Sequence, residues 1–132
     1  MKILLIDDSE IIRQAITALL SKVKGIENVQ EASNVKNAMI LIKDCQPDVV
    51  IMDIHLRNGK GLTILKYIKE KFSSTLVIVL TNDVFPNYRK ICDDYNADHF
   101  FDKSIEFKKI VDVINKMRKN TSIKQKRKDN RK

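Results

Sequence analysis

The sequence predicts an α/β protein in which a parallel sheet is covered by helices on both faces. Short apolar runs alternate along the chain with stretches whose apolar residues recur at helical spacing. The runs are continuous rather than alternating, as in strands that are buried on both faces. Right-handed crossovers leave few other arrangements for such a series. With 132 residues, 43% of them hydrophobic, the chain is long enough for one domain with one core.

The first half of the chain contains three predicted strands and two predicted helices. Ser9 can cap the first helix, which we expect to end at Gly25. Asn34 begins the second helix, and Pro47 stops it because proline cannot continue a helix. The strands are predicted at residues 2–7, around residues 28–32 and at residues 48–53.

The second half contains two more strands and three more helices. A turn at residues 58–61 leads into the third helix, and Pro86 opens the fourth. Ser104 is expected to cap the last helix, whose apolar periodicity stops beyond Arg118. The strands are the runs at residues 75–81 and 98–102.

Polar residues stand where four of these strands end. Asp7 and Asp8 follow the first strand, Asp53 the third, Thr81 ends the fourth, and Lys103 follows the fifth. Carboxyl ends of parallel strands share one edge of a sheet, where ligands bind in open α/β folds. Three carboxylates about 4 Å apart would repel by about 4 kcal/mol per pair at an effective dielectric constant of about 20. Such a cluster needs cations, and Lys103 together with Mg²⁺, which prefers hard oxygen ligands, would supply them.

Residues 1–118 resemble the receiver domain of two-component response regulators. The resemblance implies a flavodoxin-like (βα)5 fold of three layers with a five-stranded parallel sheet of order 2-1-3-4-5. It rests on residues in register over the whole predicted fold, namely Asp7, Asp8, Asp53, Gly61, Thr81 and Lys103.

The resemblance also implies a phosphoacceptor and a metal site. Asp53 is expected to accept a phosphoryl group from a histidine phosphate, carried by a sensor histidine kinase or a histidine phosphotransfer protein. Asp7, Asp8, Asp53 and the backbone carbonyl of His55 are expected to hold Mg²⁺.

Further expectations concern the phosphoryl oxygens and a conformational switch. Thr81 and Lys103 are expected to contact phosphoryl oxygens through a hydroxyl and an ammonium. Phe100 occupies the family's switch-aromatic position, so its ring is expected to turn inward when Thr81 moves toward the phosphoryl group. An ordinary place in the core is the alternative for this ring. The side chains of His55 and His99 are expected to face solvent or a loop.

Four residues depart from the commonest family pattern. Asn82 stands where a small residue usually follows the threonine, so it can crowd or shield the phosphoryl pocket and change turnover. Arg57 replaces a usual proline, and Asn96 replaces a usual glycine at a place where asparagine can adopt a left-handed conformation. Ser104 replaces the proline that usually follows Lys103 in a cis bond. A cis bond without proline costs about 3 kcal/mol, so the peptide isomer here stays open.

The formal net charge of +8 is concentrated at the end of the chain. Residues 119–132 carry seven Lys or Arg against one acid, a net +6, whereas residues 1–118 carry +2. We expect a disordered basic tail after a receiver domain of residues 1–118. The alternative is an arm that binds RNA, DNA or an acidic protein surface, although no aromatic residues are interleaved for base stacking.

These features predict a stand-alone, cytoplasmic regulator that signals or relays its phosphoryl group by docking to an unidentified protein, and not an enzyme acting on an external substrate. The apolar run at residues 3–6 is too short for a signal peptide or a membrane span. A small-molecule phosphatase or phosphotransferase is a weaker candidate because no Gly-rich phosphate loop occurs. Cys45 and Cys92 lack partner spacing and are expected to be small buried hydrophobes.

Overall fold

In the computed structural model, the backbone is described for residues 1–56 and 59–129, and side chains for the same ranges except residues 59 and 120–129. Arg57 and Asn58, which belong to a predicted departure and a predicted turn, lie outside the described residues, as do residues 130–132. Seven strands are described, namely β1 Lys2–Ile6, β2 Asn28–Ala32, β3 Val49–Met52, β4 His55–Leu56, β5 Gly59–Lys60, β6 Leu76–Thr81 and β7 His99–Asp102.

Five of these strands form one parallel sheet in the order β2-β1-β3-β6-β7. Counted along the chain, these sheet strands have the order 2-1-3-4-5, which confirms the prediction. The remaining two, β4 and β5, form a small antiparallel hairpin just after β3.

Five helices are described, four of them between strands and one after β7, and three of their starts agree with the predictions. The Ser9 hydroxyl accepts a hydrogen bond from the Ile12 amide at 3.3 Å, and the Asn34 side chain accepts one from Asn37 at 2.9 Å. Pro86 stands in the first turn of the fourth helix, where its missing N–H costs nothing. The helices are α1 Glu10–Leu20, α2 Val35–Cys45, α3 Gly61–Lys71, α4 Pro86–Asp94 and α5 Lys109–Asp129.

Three helix boundaries differ from the predictions. The first helix ends at Leu20, and Gly25 lies in the following turn with a φ of +86°. Ser104 does not cap the last helix, because its amide and hydroxyl both donate to the carboxylate of Asp102, at 2.9 and 2.5 Å. This local turn holds Ser104 near the end of β7, so α5 begins only at Lys109.

The last helix also continues to Asp129, beyond the predicted boundary at residue 118. Because the side chains of residues 120–129 are not described, the division into a receiver domain and a separate tail stays a prediction. Within the described residues, no helix is both long and apolar enough to span a membrane.

The core consists of two apolar clusters, one on each face of the sheet. Helices α2, α3 and α4 cover one face with residues such as Ile42, Ile64 and Cys92. Helices α1 and α5 cover the other with Ile16 and Ile114. Residues 3–6 of β1 alternate between the two clusters, which explains why all four are apolar. The structure therefore has three layers.

Backbone hydrogen bonds continue past the strand ends and align the predicted site residues. The Asp53 amide donates to the carbonyl of Ile6 at 2.9 Å, and the Lys103 amide donates to the carbonyl of Thr81 at 2.9 Å. These bonds place the residues that follow β1, β3, β6 and β7 at one edge of the sheet.

Candidate functional site

Three of the predicted residues meet at the carboxyl edge of the sheet. The Lys103 Nζ atom lies 2.7 Å from Oδ2 of Asp7 and 2.7 Å from Oδ2 of Asp53. The exposed fractions of the three side chains are 8% for Lys103, 5% for Asp7 and 10% for Asp53. Asp8, next in the chain, is half-buried. One nearly buried ammonium therefore bridges two nearly buried carboxylates.

The charges of this cluster stabilise the protonated lysine. Burial lowers the pKa of the Lys103 ammonium, but the hydrogen bonds and charges of Asp53 and Asp7 outweigh burial and raise the pKa above its ordinary value. A single ammonium balances only one of the two carboxylate charges that it contacts. The site therefore favours an additional cation.

Local turns orient both carboxylates. Oδ1 of Asp7 accepts the Ser9 amide at 2.8 Å, and Oδ1 of Asp53 accepts the His55 amide at 3.0 Å. Aspartate commonly hydrogen-bonds the backbone two residues on in this way. Each carboxylate thus has one oxygen held by its own loop and the other directed at Lys103.

The donors in this cluster suit Mg²⁺. Mg²⁺ usually takes one or two carboxylates and completes its shell with phosphate oxygens and water. Asp7 and Asp53 provide such carboxylates and carry a charge that Lys103 does not balance. No group of three or more His, Cys, Asp or Glu side chains in the described ranges is arranged to hold a metal. The residues fit this ion chemically, and the full ligand set of Asp7, Asp8, Asp53 and the His55 carbonyl stays a prediction.

Thr81 and Phe100 lie on the two neighbouring strands β6 and β7. Thr81 is buried, and its Oγ1 accepts the amide of Asp83 at 3.1 Å. Phe100 is half-buried, pairs in register with Val79 and packs against the core cluster under α2, α3 and α4. The guanidinium carbon of Arg89 lies 4.6 Å from the centroid of its ring. The phosphoryl contact of Thr81 and the switch role of Phe100 stay predictions.

The side chain of His55 is exposed, as expected, but it also has partners. Its Nε2 lies 2.6 Å from a carboxylate oxygen of Asp83, and its ring meets the ring of Tyr88 edge-on with centroids 5.0 Å apart. These contacts join β4 to the loop that follows β6 and to α4. His99, in contrast, is half-buried and stacks on Phe101 with centroids 5.5 Å apart.

Sequence reasoning missed the residues that support the site from neighbouring elements. Arg13 donates to the backbone carbonyl of Asp7 at 2.5 Å, Asp83 pairs with His55, and Arg89 covers Phe100. No spacing in the chain signals these contacts, because each joins loops or helices that only the fold brings together.

Three departures from the family pattern can be placed in the structure. Asn82 is exposed, and Asn96 has a φ of +66°, so it adopts the left-handed conformation that the sequence allows. No cis peptide occurs in the described part of the chain, so the bond between Lys103 and Ser104 is trans. Lys103 nevertheless reaches both carboxylates.

Gly61 has a steric reason to be glycine. A Cβ atom at this position would lie 2.5 Å from the carbonyl oxygen of Asp53 and 2.6 Å from Cα of Ile54. Both neighbours are backbone atoms, so making room for a Cβ atom would require the backbone to shift at a cost in free energy. The first residue of α3 therefore packs directly against the loop that carries Asp53.

Comparisons with known proteins agree with this geometry. Residues 3–115 match the family described as the response regulator receiver domain. The transcriptional regulatory protein YdfI of Bacillus subtilis is 30% identical over 105 residues, which are 80% of this chain and 43% of YdfI. A protein-glutamate methylesterase/protein-glutamine glutaminase of Archaeoglobus fulgidus is 39% identical over 79 residues, which are 60% of this chain and 22% of that protein. The chain therefore spans less than half the length of either relative.

Solved structures show the same fold. A DNA-binding response regulator of the LuxR family from Staphylococcus aureus superimposes with a TM-score of 0.79 at 29% identity, covering 87% of this chain and 96% of that one. The receiver domain of the Francisella response regulator 1452 has a TM-score of 0.79 at 24% identity, covering 91% and 98%, and supports the fold alone. Because the family match spans nearly all of the sheet and its helices, this chain belongs to the response regulator receiver domain family of two-component signalling.

Proposed function

We propose that this receiver domain accepts a phosphoryl group on Asp53 from a phosphohistidine of a sensor histidine kinase or histidine phosphotransfer protein, in the cytoplasm. The observation that supports the proposal is the buried bridge from Lys103 to Asp53 and Asp7. A carboxylate oxygen of Asp53 attacks phosphorus, the P–N bond breaks, and the leaving imidazole keeps the electron pair and takes up a proton. The product is an aspartyl phosphate.

The surrounding residues would position the phosphoryl group and compensate its charge. Lys103 already contacts the nucleophile, and its ammonium can pair with a phosphoryl oxygen as the group arrives. Mg²⁺ held by Asp7, Asp8, Asp53 and the His55 carbonyl would neutralise negative charge on the phosphoryl oxygens. The reaction requires no further catalytic domain, so the protein is proposed as a self-phosphorylating signalling protein and not as an enzyme with its own substrate.

Incubation with Mg²⁺ and acetyl phosphate tests the proposal by intact-protein mass. We expect the gain of one phosphoryl group in the wild type and none in Asp53→Asn. Asp48→Asn is a matched control, because Asp48 precedes β3 and its carboxylate accepts the Lys2 amide at the opposite edge of the sheet. This variant should still be labelled. Labelling of Asp53→Asn, or none in the wild type, would reject the proposal.

The output is proposed to be docking to another protein. Four large apolar side chains are exposed in the segments that follow the strand ends at the site, which is unusual for groups that gain free energy by burial. Their exposed fractions support a protein-binding surface there: Ile11 76%, Val84 38%, Phe85 63% and Ile105 80%. Binding of nucleic acid through residues 119–132 stays the alternative.

A further inference from the structure

Arg89 covers the aromatic ring of Phe100. Its guanidinium carbon lies 4.6 Å from the ring centroid, within the range of a cation–π contact. Arg89 is an exposed residue of α4, and Phe100 is a half-buried residue of β7. Both residues line the open groove between α4 and β7. The Phe100 ring thus packs against the apolar core and also contacts the Arg89 guanidinium.

Two acidic groups, one at the end of β7 and one just after it, attract the same guanidinium. The pKa of Asp102 is lowered mainly by hydrogen bonds from Ser104, and the charge of Arg89 contributes. The pKa of Glu106 is lowered mainly by its bond from Lys109, again with a contribution from Arg89. The charge of Arg89 thus also acts on the segment that follows Phe100 and carries Lys103.

This placement opposes an inward rotation of the ring. An inward rotation of the Phe100 ring would move it away from the Arg89 guanidinium, and the contact would be lost. An interaction present in one of two conformations shifts the equilibrium toward that conformation by its full free energy. For an exposed cation–π pair the shift corresponds to a factor of about two to five.

We propose that Arg89 is a positioning residue that holds Phe100 in the groove of the unphosphorylated protein and so restrains the conformational switch. The proposal rests on the proposed function and on the predicted switch, in which the Phe100 ring turns inward as Thr81 moves toward the phosphoryl group on Asp53. A smaller population of the groove-facing conformation leaves a larger population of the other conformation, from which we expect Asp53 to accept the phosphoryl group. Arg89→Ala should therefore be phosphorylated faster than the wild type.

The kinetic test measures the rate of Asp53 labelling by acetyl phosphate with Mg²⁺. We expect a rate about two to five times the wild-type rate for Arg89→Ala. Arg89→Lys, which keeps a cation, should lie between the two. The matched control is Lys90→Ala, which removes a neighbouring exposed charge from the same helix and the same groove. It should leave the rate unchanged, and an equal acceleration there would overturn the proposal in favour of a general charge effect.

A double-mutant cycle separates this role from a merely structural one. In a Phe100→Leu background there is no ring for the cation to hold, so Arg89→Ala should no longer change the labelling rate. An undiminished acceleration in that background would overturn the proposal.

The last measurement does not depend on phosphorylation. NMR relaxation dispersion of the Phe100 ring in the unphosphorylated protein reports the population of its second conformation. We expect that population to be about two to five times larger in Arg89→Ala than in the wild type and unchanged in Lys90→Ala. Equal populations in all three proteins would reject the role of Arg89, whereas a total absence of Asp53 labelling would reject only the proposed function.

Discussion

The Lys103 side chain forms close contacts with two buried carboxylates. Its Nζ atom is 2.7 Å from oxygens of both Asp7 and Asp53, and all three side chains are almost entirely buried. Taking charges out of water is costly, and their mutual attraction offsets that cost only in good geometry. The cluster is therefore sensitive to which of its members is removed.

Lys103→Met should destabilise the protein more than Asp53→Asn does. Without the ammonium, Asp7 and Asp53 remain buried as uncompensated like charges, which costs about 3–5 kcal/mol. Asp53→Asn instead leaves a matched pair of Lys103 and Asp7. Urea unfolding without divalent cations measures both free energies of unfolding. Equal losses in the two variants would show that the bridge does not balance the two acids.

The same bridge predicts a particular pH dependence of stability. The pKa of Lys103 is raised in the folded protein, so its contribution to the free energy of unfolding is complete below the unfolded value of about 10.4. The stabilisation by Lys103 is lost as the pH rises from the unfolded pKa through the raised pKa of the folded protein. The stability difference between wild type and Lys103→Met should be constant from about pH 7 to 9 and shrink above about pH 10.4. A difference that already shrinks near neutral pH would contradict this.

At the scale of elements, the start of α3 is set by a close backbone approach. The first residue of that helix lies so near the loop carrying Asp53 that only glycine fits without movement. The distance between this helix and the loop that carries Asp53 therefore depends on the absence of a side chain at position 61.

Gly61→Ala should displace α3 from the site. The added methyl group would lie 2.5 Å from the Asp53 carbonyl oxygen, so backbone must shift, and overpacking of this kind costs about 1–3 kcal/mol. We also expect slower labelling of Asp53. Thr63→Ala, at an exposed position of the same helix, is the control and should be nearly neutral. Wild-type stability in Gly61→Ala would mean that the loop yields without cost.

Across the whole molecule, charge and site are separated along the chain. Residues 119–132 carry a net +6, while the carboxylate and lysine cluster lies within residues 1–118. The two parts can therefore be tested independently in the complete chain.

Replacing Lys124, Lys126, Arg127 and Lys128 by Gln should leave the labelling rate of Asp53 unchanged, because none of them belongs to the site. The same variant distinguishes the two interpretations of the basic segment. A nucleic-acid arm predicts binding of DNA or RNA that falls with salt at a logarithmic slope of about −6 and weakens in the variant. A solvated end predicts no such loss. A changed labelling rate would show that the segment acts on the receiver domain.

Much of the fold follows from local patterns. The second strand lies at residues 28–32 as predicted, and Ser9, Asn34 and Pro86 begin helices where their chemistry favours it. Ser104 was the wrong choice of cap, because the carboxylate of Asp102 captures its amide and hydroxyl. Serine is favoured at helix starts, but here its hydrogen bonds to the Asp102 carboxylate stabilise a turn instead, and the helix begins at Lys109.

For the site, strand ends were informative because a buried parallel strand exposes its polar residue only where it leaves the sheet. That rule, together with the family resemblance, predicts Asp7, Asp53 and Lys103 from the sequence alone. The pairing of His55 with Asp83 and the cover of Arg89 over Phe100 depend on side chains from separate loops and helices. Local sequence determines strands, helices and the polar residues at their ends, since hydrogen bonding and apolar periodicity act over a few residues. Contacts between elements were decided only by tertiary packing, which acts on distance in space and leaves no period in the chain.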